Sequence, residues 1–273
     1  MSVQTETTLS KHIAGIIPVA KSQTDIDLLL HHSVLPIANN FYNIQRSIVE
    51  CAYVGCSTIW VVCEDSYAPL IKKVCGDFVI NMHDYERSKH AKYPKDNRRT
   101  IPIFYTPLSF KHRDKKGIGV SVLDGVMASF HVSSKISKWV VPYKYYIAPP
   151  YGVYNPEVKR SAVKSFENFF LEHDGRTALD GENLGFSLGI KEVKHCSYLY
   201  KKMSANSVFT LDKILNNDIV KNNVKTTNID KYYNIENWSG YQQMWKDPLE
   251  IHPKYKFCFD AAFKSQERKL SEY

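Results

Sequence analysis

Several features of other protein classes are missing from this sequence of 273 residues. No window approaches the roughly 18 consecutive apolar residues of a membrane-spanning helix, and the polar stretch 1–11 lacks the apolar core of a signal peptide. No internal repeat, low-complexity tract or Gly/Ser-rich linker divides the chain. We therefore expect a poorly ordered leader at 1–14, a single domain over 15–273, a cytoplasmic location and no membrane partner.

The cysteines form no C-x-x-C pair, the spacing typical of zinc and redox motifs. Four of the six lie in or beside apolar segments, which indicates buried free thiols in a reducing compartment. The six positions are Cys51, Cys56, Cys63, Cys75, Cys196 and Cys258.

Acidic residues are scarce in one part of the chain. The net charge is +8, and the stretch 84–116 holds ten basic and four acidic residues, an excess of six. A positive field concentrated on one connection favours an anionic partner, which could be a nucleotide, a sugar phosphate or, through residues 87–116, a nucleic acid. The alternative is a solvated surface loop.

Two short apolar runs joined through a helix form the centre of the predicted fold. Residues 15–20 and 58–63 have the length and composition of buried strands. Between them, apolar side chains recur at three- and four-residue steps over 41–55, which predicts an amphipathic helix that ends at Gly55. Such a unit is a right-handed parallel crossover. We expect an α/β fold with a mixed, mainly parallel central sheet and helices on both faces.

The same alternation continues along the chain. The patterns predict helices over 68–74, 123–130, 207–215 and within 232–245, strands over 76–81 and 101–105, and one or two strands at 139–141 and 145–148. Short alternating runs around Asp174-Gly175, a hairpin signal, predict a small β-rich insertion at about 161–190.

The layout of residues 15–245 resembles one family, the sugar-phosphate nucleotidyltransferases. The stretches that carry the likeness are Ile17-Pro18-Val19-Ala20, Leu35-Pro36-Ile37-Ala38-Asn39, Ala52 to Cys63, Gly117-Ile118-Gly119-Val120-Ser121 and Tyr233 to Tyr241. The resemblance implies the Rossmann-like nucleotide-diphospho-sugar transferase fold, also called GT-A. It implies a nucleotide or nucleotide sugar and a phosphorylated small molecule as ligands, with Mg²⁺ as cofactor.

The resemblance also suggests which residues would form a site. Glu236 matches a metal-binding carboxylate of the family's closing turn, and we expect it to act in catalysis together with Lys21. Candidate phosphate-binding cations are Arg98, Arg99 and Lys116. Candidate nucleotide-binding residues are Ala20, Ser22, Gln23, Thr24, Gly117, Gly119 and Ser121.

At three places the sequence departs from the family. The loop 21–35 contains none of the glycines whose backbone amides approach phosphate. Asn40 stands where the family has a phosphate-contacting lysine, and we expect it to cap the helix at 41–55. Pro149-Pro150 stands where the family has an aspartate for Mg²⁺, and no carboxylate occurs between Asp124 and Glu157.

Three functions remain open at this point. The chain could transfer a nucleotidyl group to a sugar phosphate with release of pyrophosphate. It could be a GT-A glycosyltransferase, with Asp25-x-Asp27 or other carboxylates on the metal, although we expect Asp25 to cap a helix instead. It could also be a non-catalytic member of the fold that binds a nucleotide, a nucleic acid or a protein through its basic rim. The adjacent His31 and His32 are expected at the surface rather than on a metal.

Overall fold

A computed structural model of the chain describes residues 12–20, 26, 31–87, 99–115, 117–165, 168–202 and 224–259. The first strand begins at Ile13, two residues before the predicted start. The predicted helix at 207–215 lies outside the described residues.

The described residues alternate between strands and helices, as the patterns predict. The strands are β1 (Ile13–Pro18), β2 (Pro36–Ala38), β3 (Phe41–Tyr42), β4 (Thr58–Cys63), β5 (Phe78–Ile80), β6 (Thr100–Pro107), β7 (Lys144–Ile147), β8 (Gly152–Val153), β9 (Asn168–Glu172), β10 (Phe186–Leu188), β11 (Val224–Asn228) and β12 (Tyr233–Asn234). The helices are α1 (Asn43–Val54), α2 (Ala68–Cys75), α3 (Met82–Arg87), α4 (Ile118–Ile136), α5 (Arg160–Ser165), α6 (Ile190–Lys202) and α7 (Trp238–Lys246).

Eight strands form one sheet in the order β11-β9-β10-β7-β1-β4-β6-β5. β1 is parallel to both of its neighbours, β4 and β7, and β4 is parallel to β6. β11 is parallel to β9, whereas β10 runs antiparallel to β7 and β9, and β5 antiparallel to β6. The sheet is mixed and mainly parallel, which confirms the prediction.

Helices cover both faces of this sheet. Ile17 of β1 packs in one core cluster with Ile44 and Ile48 of α1, whereas its neighbour Ile16 packs in a second cluster with Val120 of α4. Successive side chains of a strand point to opposite faces. α1 and α4 therefore lie on opposite sides of the sheet, as predicted.

α1 differs from the amphipathic helix that its periodicity predicts. All 12 of its residues are buried, including Arg46 and Glu50. The helix also contacts α3, α5 and β8, so residues from distant parts of the chain cover the side that faces away from the sheet. It ends at Gly55, as predicted, with a φ of 81°. The expected cap is wrong, because Asn40 lies in the turn between β2 and β3 with a φ of 54° and Tyr42 precedes the helix.

Two further segments differ from their predicted structure. Residues 139–141 form no strand, since Lys138–Val140 is an exposed 3-10 turn. β9 and β10 lie beside β7 in the main sheet, so the β-rich segment extends the central sheet. Asp174 and Gly175 form the predicted turn after β9, with φ values of 49° and 75°.

All six cysteines are free and buried, as the sequence predicts. No helix among the described residues combines the length and apolar character needed to cross a membrane.

Gly125 allows α4 to approach the sheet closely. A Cβ at this position would lie 2.6 Å from Cγ2 of Ile16 and 2.7 Å from Cγ2 of Val62. Both distances are shorter than the normal separation of packed carbon atoms. Both neighbours are buried, β-branched side chains of central strands. The position therefore requires glycine although glycine weakens a helix interior.

We expect Gly125→Ala to destabilise the protein. Because two contacts are this short, we expect overpacking to cost about 2–3 kcal/mol, the upper part of its usual range. The better helix propensity of alanine returns about 1 kcal/mol, so the net loss of unfolding free energy is about 1–2 kcal/mol. Urea denaturation measures it. Ser134→Ala, at an exposed position of the same helix, serves as the control with a change within about 0.5 kcal/mol. Equal stability of the two variants would contradict the close approach.

Candidate functional site

The candidate site lies at the carboxyl edge of the sheet, where β1, β4, β6 and β7 end. Ligands of open α/β sheets bind outside this edge. Beyond β1, the amides of Val19 and Ala20 both donate to the carbonyl of Val62, at 3.0 and 2.9 Å. The chain therefore turns toward β4 as it leaves β1, and the Ala20 amide is used within the protein.

α4 begins beside this turn. Gly117 precedes the helix with a φ of 98°, which favours glycine, and Gly119 is buried in its first turn. The hydroxyl of Ser121 donates to the carbonyl of Ala20. The structure thus brings Ala20 and the start of α4 together, while the Ser121 hydroxyl already has a partner inside the protein. A nucleotide contact by these residues stays a prediction.

The turn after β7 is held by α1. Arg46 Nη2 and Ser47 Oγ donate to the carbonyl of Pro149 at 2.9 and 3.2 Å. Neither Pro149 nor Pro150 has a side-chain oxygen, and the Pro149 carbonyl already accepts two hydrogen bonds. This turn therefore supplies no carboxylate at the place where the resemblance implies a Mg²⁺ ligand.

Arg46 belongs to a buried polar network. Its Nη1 lies 2.7 Å from Glu50 Oε2, and both side chains are fully buried. The hydroxyls of Tyr146 and Tyr154 donate to Glu50 Oε1 at 2.5 and 2.8 Å, and the guanidinium lies 4.2 Å from the centre of the Tyr154 ring. Burial and the nearby Glu50 raise the pKa of both tyrosines, which therefore remain protonated donors. Each buried charge is thus paired and hydrogen-bonded, the condition under which burial is tolerated.

A short ladder brings the Glu236 turn next to the end of β7. β8 follows the Pro149 turn and pairs antiparallel with β12, and the amide of Ile235 donates to the carbonyl of Tyr151 at 2.9 Å. Glu236 comes next in the chain and is half-buried, and its amide donates to Asn234 Oδ1 at 3.1 Å. Two segments that are more than 80 residues apart therefore meet at this edge.

The described donors at this edge do not fit a Mg²⁺ ion. Mg²⁺ demands near-octahedral oxygen coordination and normally uses at least one carboxylate. Within the described ranges, no three His, Cys, Asp or Glu side chains are grouped so that they could hold a metal. Glu236 is the carboxylate that matches the resemblance, and one such ligand beside a proline turn is not a site. Asp25 and Asp27 lie outside the described residues.

Arg99 lies away from this edge. It immediately precedes β6, so it is at the amino edge of the sheet, and its Nε lies 2.9 Å from Asp84 Oδ2. Although burial alone would raise the pKa of Asp84, the hydrogen bonds and charge of Arg99 lower it. The structure thus gives Arg99 a protein partner and does not bring it to the other expected site residues.

The remaining expected site residues fall outside the described part of the chain, so their roles stay predictions. They are Lys21, Ser22, Gln23, Thr24, Arg98 and Lys116.

The Arg46–Glu50 pair was not predicted from the sequence. Its one visible signal was an Arg and a Glu four residues apart within a helix, a spacing that usually marks a solvent-exposed pair. Only the cover over the outer side of α1 shows that both charges are buried. The partners Tyr146 and Tyr154 are about 100 residues away in the chain, and no local pattern connects them with α1.

His31 packs against Tyr67, which follows the end of β4. Its ring centre lies 4.5 Å from that of Tyr67, and its Nδ1 accepts a hydrogen bond from the Ser33 amide at 3.2 Å. Burial and the neighbouring His32 lower the pKa of His31 to about 4. Both histidines are half-buried rather than on the surface.

Comparisons with known proteins find matches to the structure of this chain but none to its sequence. No known protein family matches the sequence, and no curated protein does. A protein from Bacillus anthracis described as a glucose-1-phosphate thymidylyltransferase matches 90% of this chain and 98% of its own, with a TM-score of 0.56 and 7% identity.

Two other solved structures are similar. An apo UDP-glucose pyrophosphorylase matches 87% of this chain and all of its own, with a TM-score of 0.54 and 14% identity. The inositol-1-phosphate CTP transferase from T. maritima matches 89% and 98%, with a TM-score of 0.51 and 12% identity. At such low identity these likenesses show the fold alone. The chain has the α/β fold of the sugar-phosphate nucleotidyltransferases.

We expect the buried ion pair to contribute far more to stability than an exposed one. Arg46→Met leaves Glu50 buried without its partner and should cost about 3–5 kcal/mol of unfolding free energy, measured by urea denaturation. The control is Lys72→Ala, whose partner Asp77 is 2.9 Å away with both side chains about half exposed. Its expected cost is below about 1 kcal/mol.

A milder substitution in the same network tests the prediction if Arg46→Met does not fold. Tyr154→Phe removes one hydroxyl that donates to Glu50 and should cost about 1–3 kcal/mol. Equal stability of all three variants and the wild type would mean that the network does not hold this edge together.

His31 should make stability depend on pH. Its pKa is about 4 in the folded protein and near 6.5 in the unfolded chain, so the unfolded state binds more protons between these values. Stability is therefore highest above pH 6.5 and falls toward pH 4. Compared with His31→Asn, the wild type should lose up to about 3 kcal/mol over this range, measured by urea denaturation at several pH values. Parallel pH profiles would refute the assignment.

Proposed function

We propose that this chain binds a nucleotide or a nucleotide sugar at the carboxyl edge of its sheet, and that the end of β7 serves as a structural turn instead of a metal site. One observation carries the second half of this proposal. The carbonyl of Pro149 accepts hydrogen bonds from Arg46 and Ser47, so the place of the expected Mg²⁺ aspartate is built into the buried network.

Position and charge support an anionic ligand at this edge. The edge lies where parallel α/β sheets bind ligands. The start of α4 faces it, and the N-terminus of a helix favours negative charge. Lys111 and Arg113 are exposed between β6 and α4, and they add positive charge to the same side of the sheet.

A second candidate is nucleotidyl transfer to a sugar phosphate. The observation that favours it is the β8–β12 ladder, because it brings the Glu236 turn beside the end of β7. In such a reaction the acceptor phosphate attacks the α-phosphorus, the bond from that phosphorus to the bridging oxygen breaks, and pyrophosphate leaves. The described residues supply no set of metal ligands for this step, so we rank it below binding.

Thermal unfolding with each of the four nucleoside triphosphates and with nucleotide sugars, in Mg²⁺ and in EDTA, tests the proposal. A ligand at a hundredfold its dissociation constant adds about 2.7 kcal/mol, which raises the Tm of a protein of this size by roughly 5–10 °C. We expect one nucleotide to give such a shift in EDTA as well as in Mg²⁺. No shift with any nucleotide or nucleotide sugar would refute the proposal.

Glu236→Gln separates binding from transfer. If the chain only binds, this variant should bind nucleotide in EDTA within about twofold of the wild type, because it removes one charge at the rim of the site. If the chain transfers nucleotidyl groups, the wild type should release pyrophosphate in Mg²⁺ with a sugar phosphate present, and the variant should release less. Pyrophosphate release by the wild type would replace the first candidate with the second.

A further inference from the structure

The connection between β6 and α4 displays an aromatic ring to solvent. We call residues 108–115 the rim loop; it begins where Pro107 of β6 lies opposite Cys63 of β4, at the carboxyl edge. Phe110 in this loop is 83% exposed. The ring is therefore accessible to a ligand from solution.

Buried polar contacts hold the rim loop in place. Nδ1 of His112 lies 2.6 Å from Asp124 Oδ1, and each side chain is 3% exposed. The other oxygen of Asp124 accepts the amide of Ser109 at 3.0 Å, and the ring of Tyr200 from α6 meets the His112 ring edge-on at 4.6 Å. These contacts tie both sides of Phe110 to α4. The ring is therefore presented by an anchored loop.

A cation stands beside the ring. The guanidinium carbon of Arg113 lies 5.6 Å from the centre of the Phe110 ring, and its Nη2 pairs with Asp65 Oδ2 at 2.7 Å. Asp65 follows the end of β4, so this pair joins the carboxyl ends of β4 and β6. Lys111, also exposed, forms no ion pair among the described residues. The rim loop thus combines a flat apolar surface with positive charge.

We propose that the rim loop binds the nucleotide through Phe110, on which the base stacks, and Arg113, which contacts a phosphate of the same ligand. This inference rests on the proposed function and adds two residues that contact different parts of the ligand. Every base has a π-face, so stacking favours a base without selecting one. An arginine can pair with phosphate oxygens through two parallel N–H donors, and the Arg113 side chain is 51% exposed even with its Nη2 on Asp65.

The positions of the two side chains suit one ligand. The rim loop leads directly to Gly117 and the start of α4, where Ser121 contacts Ala20 at the end of β1. A base on Phe110 would leave the phosphates of a nucleotide free to reach toward the positive end of α4. His112 and Asp124 act as positioning residues, since they hold the loop and are too buried to touch the ligand directly.

The test measures the affinity of the purified full chain for two probes by isothermal titration calorimetry. One probe is the nucleoside triphosphate that gives the largest thermal shift, and the other is inorganic tripolyphosphate, which has the phosphates without the base. Phe110→Ala should weaken nucleoside triphosphate binding by about five- to a hundredfold and leave tripolyphosphate binding unchanged. Phe110→Trp should keep the nucleotide affinity. Arg113→Gln should weaken both probes.

Trp139→Ala is the matched control. Trp139 is 73% exposed and precedes β7, so it lies at the opposite, amino edge of the sheet. Its removal should change neither affinity. Thermal unfolding without ligand verifies that each variant is folded.

The possible failures are distinguishable. If the wild type binds no nucleotide, the proposed function fails and this inference fails with it. If the wild type binds and Phe110→Ala binds equally well, the inference alone is wrong. If Phe110→Ala weakens the binding of a single-stranded oligonucleotide but not of the nucleoside triphosphate, the loop serves nucleic acid, and the inference is overturned in that form as well.

Discussion

The ion pair between Arg46 and Glu50 is the interaction on which the candidate site depends. Both charges are fully buried, and a buried charge without a partner would cost several kcal/mol. Glu50 is therefore surrounded by donors, and the hydroxyls of Tyr146 and Tyr154 both donate to one of its oxygens. Arg46 also donates a hydrogen bond to the Pro149 carbonyl. The network joins α1, β7 and the turn that follows β7 into one unit.

This arrangement changes what the carboxyl edge can do. A carboxylate at the end of a central strand could bind a cation, whereas a proline turn with an occupied carbonyl can only shape the site. The chain keeps the sheet, the crossover and the ladder that carries the Glu236 turn. At this edge, two exposed cations, Lys111 and Arg113, lie on the rim loop, which His112 and Asp124 hold against α4. Ligand recognition by fixed positive charge and an aromatic surface is consistent with that distribution.

Much of the fold could be predicted because its signals are local. The apolar run at 58–63 coincides with β4, and Gly55 ends α1 in the predicted place. The candidate site was harder to predict. The network partners come from α1, β7 and the segment after β8, and the cap assigned to Asn40 was wrong because the chain first forms the β2–β3 turn. The family resemblance could single out Ser121, but not its hydrogen bond to Ala20, which depends on how α4 packs on β1.

By itself the sequence determined the alternation of strands and helices, the buried thiols, the excess of positive charge between 84 and 116, and the absence of any carboxylate between Asp124 and Glu157. These properties follow from composition and short-range periodicity. The tertiary structure alone decided which charges are buried, that Arg99 forms an ion pair with Asp84 at the amino edge, and that the turns at Pro149 and Glu236 are neighbours. The physical reason is that burial and pairing depend on contacts between segments distant in the chain, and those contacts exist only once the sheet has brought the segments together.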